Sequence, residues 1–240
     1  MKQYIDVLTK AVLAGILIGI SGIIYLSAYE GFRILGIIMF GFGLLVILAQ
    51  GYNLYTGKVG YLIDNKPRYC WDILIMIGGN VIGTTLVALT ARLAGLTNII
   101  DVANTLIDHK LSYSWYQILG LSILCGFTMY IAAEGYRRIG NDIARVVIVI
   151  FAVTIFLLGR FQHSIADIFY FTLAMRFNGQ IILFIVLMLI GNALGAIILN
   201  ALEKVAKLKD NVCPISYYDE VKKEPKPKIK NQYQEPHNFD

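Results

Sequence analysis

The chain has 240 residues, of which 57% are hydrophobic and 15% charged, with a mean hydropathy of +0.64. Ordinary soluble domains carry about 25% charged residues, so the composition excludes a disordered chain and argues against a soluble enzyme. The net charge of +5 is no sign of nucleic-acid binding. The basic residues lie between and after apolar runs, where an integral membrane protein uses them to orient itself in the lipid bilayer.

Six apolar segments follow one another at 8–29, 34–64, 72–96, 115–136, 144–174 and 180–204. About 20 apolar residues cross a bilayer, so each segment reads as a span. The first is read as retained, not as a cleaved leader: Lys2 and Lys10 flank or enter its start, and no small-residue cleavage site follows. The second and fifth are too long for one crossing. Each is interrupted near its middle, by Gln50-Gly51-Tyr52-Asn53-Leu54-Tyr55-Thr56-Gly57-Lys58 and by Gly159-Arg160-Phe161-Gln162-His163-Ser164-Ile165-Ala166-Asp167. A break in lipid exposes backbone groups at several kcal/mol each, and survives only where protein or a polar cavity covers it. Two breaks in one small protein imply that they meet around a path.

Charge sets the expected orientation. With the N-terminus inside, the inner loops carry Lys66, Arg68, Arg137, Arg138 and Arg145, and Lys204, Lys207 and Lys209 follow the last span. The outer loops carry Arg33, Lys110 and Arg176, with Arg92 near a helix end. The bias predicts a multi-pass plasma-membrane protein with both termini cytoplasmic. Residues 1–209 are expected to form a six-span transmembrane channel domain. Residues 210–240, with Pro214, Pro225, Pro227 and Pro236 among mixed charges, are expected to be a solvated, mobile cytoplasmic tail. Cys70, Cys125 and Cys213 are too few and too scattered for a disulfide framework or a metal cluster, so no metal or other cofactor is expected.

Gly79-Asn80-Val81-Ile82-Gly83 recurs as Gly191-Asn192-Ala193-Leu194-Gly195, 112 residues later. The same offset carries 51–57 onto 163–169, inside the second break. Three spans per half is an odd number, so the halves take opposite topology, and paired interruptions mark a site near mid-membrane. The expected fold is an all-α membrane protein of six transmembrane helices in two inverted three-helix repeats, with helices 2 and 5 broken. The glycines read as close packing points, and Asn80 and Asn192 as polar contacts between helices.

Leu54-Tyr55-Thr56-Gly57 after Gly51 resembles the D-L-F-T-S stretch of the formate/nitrite transporter family, and Phe161-Gln162-His163-Ser164-Ile165-Ala166-Asp167 resembles its F-E-H-S-x-A-N stretch. Asp108-His109-Lys110 resembles its lysine region, and the two G-N-x-x-G helices match as well. The resemblance runs through roughly 200 residues in order. It implies a homopentamer of aquaporin-like protomers, each with its own pore, passing formate, nitrite, hydrosulfide or related small monovalent anions or their acids. It makes His163 the central pore histidine, Thr56 the hydroxyl that hydrogen-bonds it, and Lys110 the lysine linked to the pore from the outer side. Phe40 and Leu44 match a cytoplasmic constriction, and Phe156 the aromatic of an outer one. The chain departs from the pattern at Gln162, where the family has an acid, at Asp167, where it has asparagine, and at Asn53 and Gly126.

The chemistry suits these assignments. An anion in lipid pays a desolvation cost of several kcal/mol. An unperturbed imidazole titrates near pH 6.5, so His163 is able either to hand a proton to an arriving weak-acid anion or, as the neutral ring, to hydrogen-bond it. An intramembrane ionisable residue is a functional candidate by default. Thr56 also suits a helix cap, and Lys110 attraction of anions at the mouth. Lys58 and Arg160, beside the breaks, either pair with carboxylates (Asp64 and Asp167 respectively) or face the pore and select anions. The competing readings are a neutral-solute channel of aquaporin-like architecture, although no Asn-Pro-Ala motif is present, and a non-transporting membrane scaffold. The chain has neither an H-E-x-x-H nor a G-x-S-x-G motif, and an enzyme is not expected.

Overall fold

The computed structural model describes residues 2–206 and is all-helical across them. Lys207, Lys209, Cys213 and the 210–240 tail lie outside the described residues. The helices are α1 (Lys2–Ser27), α2 (Arg33–Ala49), α3 (Tyr55–Lys58), α4 (Tyr69–Leu93), α5 (Thr97–Leu111), α6 (Trp115–Arg138), α7 (Asp142–Leu158), α8 (Ser164–Leu173) and α9 (Gly179–Val205), with a 3-10 helix over Val59–Asp64 after α3. Among the described residues, α1, α4, α6 and α9 are long and apolar enough to cross a membrane, while α2 and α8 are shorter apolar helices.

Local chemistry sets several helix starts. At α6, Ser114 and Gln117 form a reciprocal capping box. Asn141 caps α7 by accepting from Ala144 N, and Asn178 caps α9 by accepting from Ile181 N. Between α2 and α3 the chain turns at Gly51, whose φ of +66° glycine adopts freely. Between α7 and α8 the turn falls on Arg160 at φ +55°, a left-handed conformation that costs a residue with a Cβ.

The non-helical stretches are 50–54 and 159–163, shorter than the interruptions read from sequence. Thr56–Lys58 and Ser164–Asp167 are already helical, and the first N–H of each helix finds a side-chain acceptor, Tyr55 N on Asn80 Oδ1 and Ser164 N on Asn192 Oδ1. The amphipathic helix α5 was not anticipated. It buries Ile99, Ala103 and Ile107, one residue per turn, against the neighbouring helices.

Two pairs of long helices pack closely, α1 with α4 and α6 with α9. The glycine motifs make these contacts, as expected. A Cβ on Gly83 would lie 2.2 Å from the Val12 carbonyl oxygen, and one on Gly195 would lie 2.1 Å from that of Ile123. The backbones therefore approach where only glycine fits. α2 packs on α7, and α4 on α8.

Candidate functional site

The two motif asparagines do more than join helices. Asn80 accepts from Tyr55 N (2.8 Å) and donates to Ala11 O (2.8 Å) and Asn53 O (2.9 Å). Asn192 accepts from Ser164 N (3.0 Å) and donates to Ser122 O (2.9 Å) and Gln162 O (2.9 Å). Each fully buried carboxamide takes the N–H at a helix start and the carbonyl just before it, the groups a break leaves without intrahelical partners. These contacts also correct the expected alignment of the breaks. Asn53 answers to Gln162, and Tyr55 to Ser164, an offset of 109 residues instead of 112. His163 and Thr56 are neighbours across the junction.

His163 and Thr56 meet there. Thr56 Oγ1 lies 3.0 Å from His163 Nε2, with both residues buried. His163 is the N-cap of α8: its Nδ1 accepts from Ala166 N at 3.1 Å. An accepting Nδ1 places the hydrogen of a neutral ring on Nε2, so Nε2 donates to Thr56 Oγ1 and leaves the threonine hydroxyl hydrogen free to point elsewhere.

Aromatic rings close one side of the junction. The Phe156 ring lies 5.6 Å from that of His163, and Phe40 meets Phe156 edge-to-face at 5.8 Å. Phe40 and Phe156 therefore belong to a single level, which corrects their expected assignment to opposite constrictions. α2 and α7 pack side by side, so positions far apart in sequence come level. Leu44, also buried, follows one turn further along α2.

A cavity of about 130 Å³ opens beyond these rings, lined by Lys110, His163, Asp167, Arg33, Arg160 and Tyr170 among others. Lys110 Nζ bonds Asp167 Oδ1 at 2.9 Å and Gln162 Oε1 at 2.6 Å. Asp167 thus pairs with Lys110 and not with Arg160, because α5 carries the lysine tip over the start of α8. Arg160 instead contacts His109 Nε2 at 3.0 Å. A second cavity, about 290 Å³, lies at the other break and is lined by Asn53, Gly57, Lys58, Tyr61, Arg137 and Arg145 among others. Lys58 ends α3, and Asp64 pairs with Lys204 and accepts from Asn200 Nδ2 at 2.6 Å. Among the described residues no group of three or more His, Cys, Asp or Glu is placed to hold a metal ion.

Residues 2–205 match the formate/nitrite transporter family. The chain belongs to that family. This formate/nitrite transporter family member is 25% identical over 182 residues to the formate channel FocA of Escherichia coli (strain K12), covering 66% of this chain and 62% of FocA. It is 26% identical over 209 residues to the formate-nitrite transporter of Plasmodium knowlesi (strain H), covering 74% of this chain and 66% of that one. The chain spans just under two thirds of the length of these curated relatives. Its fold is that of the solved structures it matches. One is a pentameric formate channel with formate bound, with TM-score 0.70 and 21% identity over 86% of this chain and 96% of that one. Another is an FNT family ion channel, with TM-score 0.74 and 20% identity over 85% and 90%. The family is one of transporters, not of enzymes.

Gln162, a lysine partner, shows in the sequence only as a departure from the family pattern next to His163. Tyr170, seven residues after His163 on α8, carries no such signal, and its buried hydroxyl has no hydrogen-bond partner among the described residues.

Proposed function

We propose that this protein conducts small monovalent weak-acid anions, such as formate, nitrite or hydrosulfide, through the His163–Thr56 junction of each protomer. The reading takes residues 1–209 as a channel domain of six crossings in two inverted repeats, with α2–α3 and α7–α8 as the broken spans. It takes 210–240 as a cytoplasmic tail, with both termini on the cytoplasmic side of the plasma membrane, and the assembly as a homopentamer. The observation that carries it is the hydrogen bond between the two breaks, Thr56 to His163, standing between two polar-lined cavities.

The geometry supports a division of labour. The Lys110 side is the outer mouth. An anion leaving it meets Phe40 and Phe156, and loses water where an uncompensated charge costs several kcal/mol. Thr56, its oxygen already engaged by His163 Nε2–H, turns its own hydrogen to the solute and replaces a lost water contact. Donation of a proton by His163 itself needs the imidazolium, and that form gives up the Nδ1 acceptor that caps α8. We therefore assign His163 a positioning role as the neutral ring, with Thr56 as the group that touches solute. Lys110, paired with Asp167, holds α5 over the start of α8, and Lys58 lines the inner cavity. Leu44 narrows the path below the aromatic pair.

Uptake of radiolabelled formate, nitrite and hydrosulfide into proteoliposomes tests this reading. Saturable entry of at least one, above protein-free vesicles, is expected. Entry of none, with the protein folded and inserted, refutes it.

A further inference from the structure

Resting on that reading, we propose that Arg33 and Arg160 form an anion-capture site at the outer mouth, one step before the junction, for a small planar anion of the carboxylate class. Both line the cavity that His163 and Lys110 also line. Lys110 is the obvious attractor, but its charge is met by Asp167 at 2.9 Å, in a pair that is nearly buried. Arg33 and Arg160, by contrast, have no carboxylate partner among the described residues. The lining thus carries three cations against one carboxylate, and the uncompensated positive charge belongs to the two arginines.

The fold holds both side chains at this mouth against local preference. Arg33 is the first residue of α2, where the helix dipole is positive and a cation is unfavourable. Arg160 sits at φ +55°, a conformation ordinarily left to glycine. α2 and α7 pack with Phe40 against Phe156, so the start of one and the end of the other meet at the same mouth. Each guanidinium is steadied without being neutralised: Arg33 lies over the Tyr29 ring at 5.0 Å, and Arg160 NH1 lies 3.0 Å from His109 Nε2. Arg33 Nε is buried without a hydrogen-bond partner, and Tyr170 Oη, on the same cavity wall, is also unpartnered. Both residues line a space of about 130 Å³, roughly four water volumes. That volume suits an anion of three or four heavy atoms. Guanidinium forks match planar two-oxygen anions better than an ammonium does.

The experiment is formate uptake by the 240-residue chain in proteoliposomes at low ionic strength, with the half-saturating concentration as the readout. Isothermal titration of formate into the detergent-solubilised protein accompanies it. The Arg33→Gln/Arg160→Gln pair is expected to raise the half-saturating concentration at least tenfold, by an amount that shrinks in high salt, and to abolish the titration heat. Arg33→Lys/Arg160→Lys, which keeps both charges and guards against misfolding but loses the guanidinium forks, is expected to raise it by clearly less than the Gln pair does, in line with charge attraction. The proposal is overturned if the Gln pair leaves the half-saturating concentration unchanged, or if the Lys pair raises it as far as the Gln pair does. A wild type that moves no anion overturns the transport reading instead. In that case formate heat present in wild type and absent in the Gln pair still supports the capture site, and equal heat in both overturns it.

Discussion

Replacing Asn192 with alanine removes three hydrogen bonds from a fully buried position. Ser122 O sits inside α6 and keeps its helical partner. Ser164 N–H and Gln162 C=O, at the edge of the break, are left unsatisfied. A buried unsatisfied backbone group costs about 1–3 kcal/mol, while transmembrane hydrogen bonds average nearer 0.6 kcal/mol with a maximum of about 1.7. Two such groups therefore set the loss at about 2–3 kcal/mol. For a protein of this size each kcal/mol shifts the melting midpoint by about 2–4 °C, so a fall of roughly 4–12 °C is expected. Thermal unfolding in detergent, followed by intrinsic fluorescence, reads it. Asn80→Ala should fall by a similar amount, because Asn80 makes the matching three bonds at the other break. Asn104→Ala, which loses only a bond to Ile100 O within α5, serves as the control and should melt with wild type. An Asn192→Ala midpoint within about 1 °C of wild type would refute the view that these amides hold the breaks closed.

Three further outcomes follow from the packing and the charges. Gly195→Ala places a methyl group 2.1 Å from the Ile123 carbonyl oxygen, so α6 and α9 must part; its melting midpoint should drop while that of Gly120→Ala, with open space around it, does not. Lys110→Met leaves Asp167 buried and unpaired, a loss of about 3–5 kcal/mol, and adding Asp167→Asn should restore more than half of it in the same unfolding assay. A double variant no more stable than Lys110→Met alone would contradict the pairing. Phe156→Ala opens the edge-to-face contact with Phe40 and should admit larger monocarboxylates such as propionate, measured as uptake relative to formate; an unchanged ratio would place the selective level elsewhere.

Much of this architecture can be read from the chain because the membrane makes polar residues conspicuous. Gln50 to Lys58 and Gly159 to Asp167 stand out in apolar surroundings, and the paired Gly-Asn motifs point to matched helices. The meeting of Thr56 with His163 was legible only through the family resemblance, since the two are 107 positions apart. Three things were not legible. Charge pairing was misjudged because Arg160 is near Asp167 in sequence, whereas Lys110 reaches it from α5 in space. The level of Phe40 was misjudged because spacing from Thr56 says nothing of how α2 lies on α7. The repeat offset slipped by three residues at the breaks because irregular backbone has no periodicity to align. The Ile99, Ala103 and Ile107 spacing of α5 was available as a signal, but a short amphipathic helix is weak evidence beside 20-residue apolar runs.

The most direct test of the conduit is formate flux through single substitutions at the junction. Proteoliposomes carrying wild type, His163→Ala, Thr56→Ser and Thr56→Val would be compared side by side over about pH 5–8, spanning the range where an unperturbed imidazole titrates. Thr56→Ser keeps the hydroxyl and should conduct like wild type, whereas Thr56→Val and His163→Ala, which remove the solute donor or its positioning partner, should lose most of the flux or its selectivity for formate. Wild-type flux and selectivity in both Thr56→Val and His163→Ala would contradict a path through this junction.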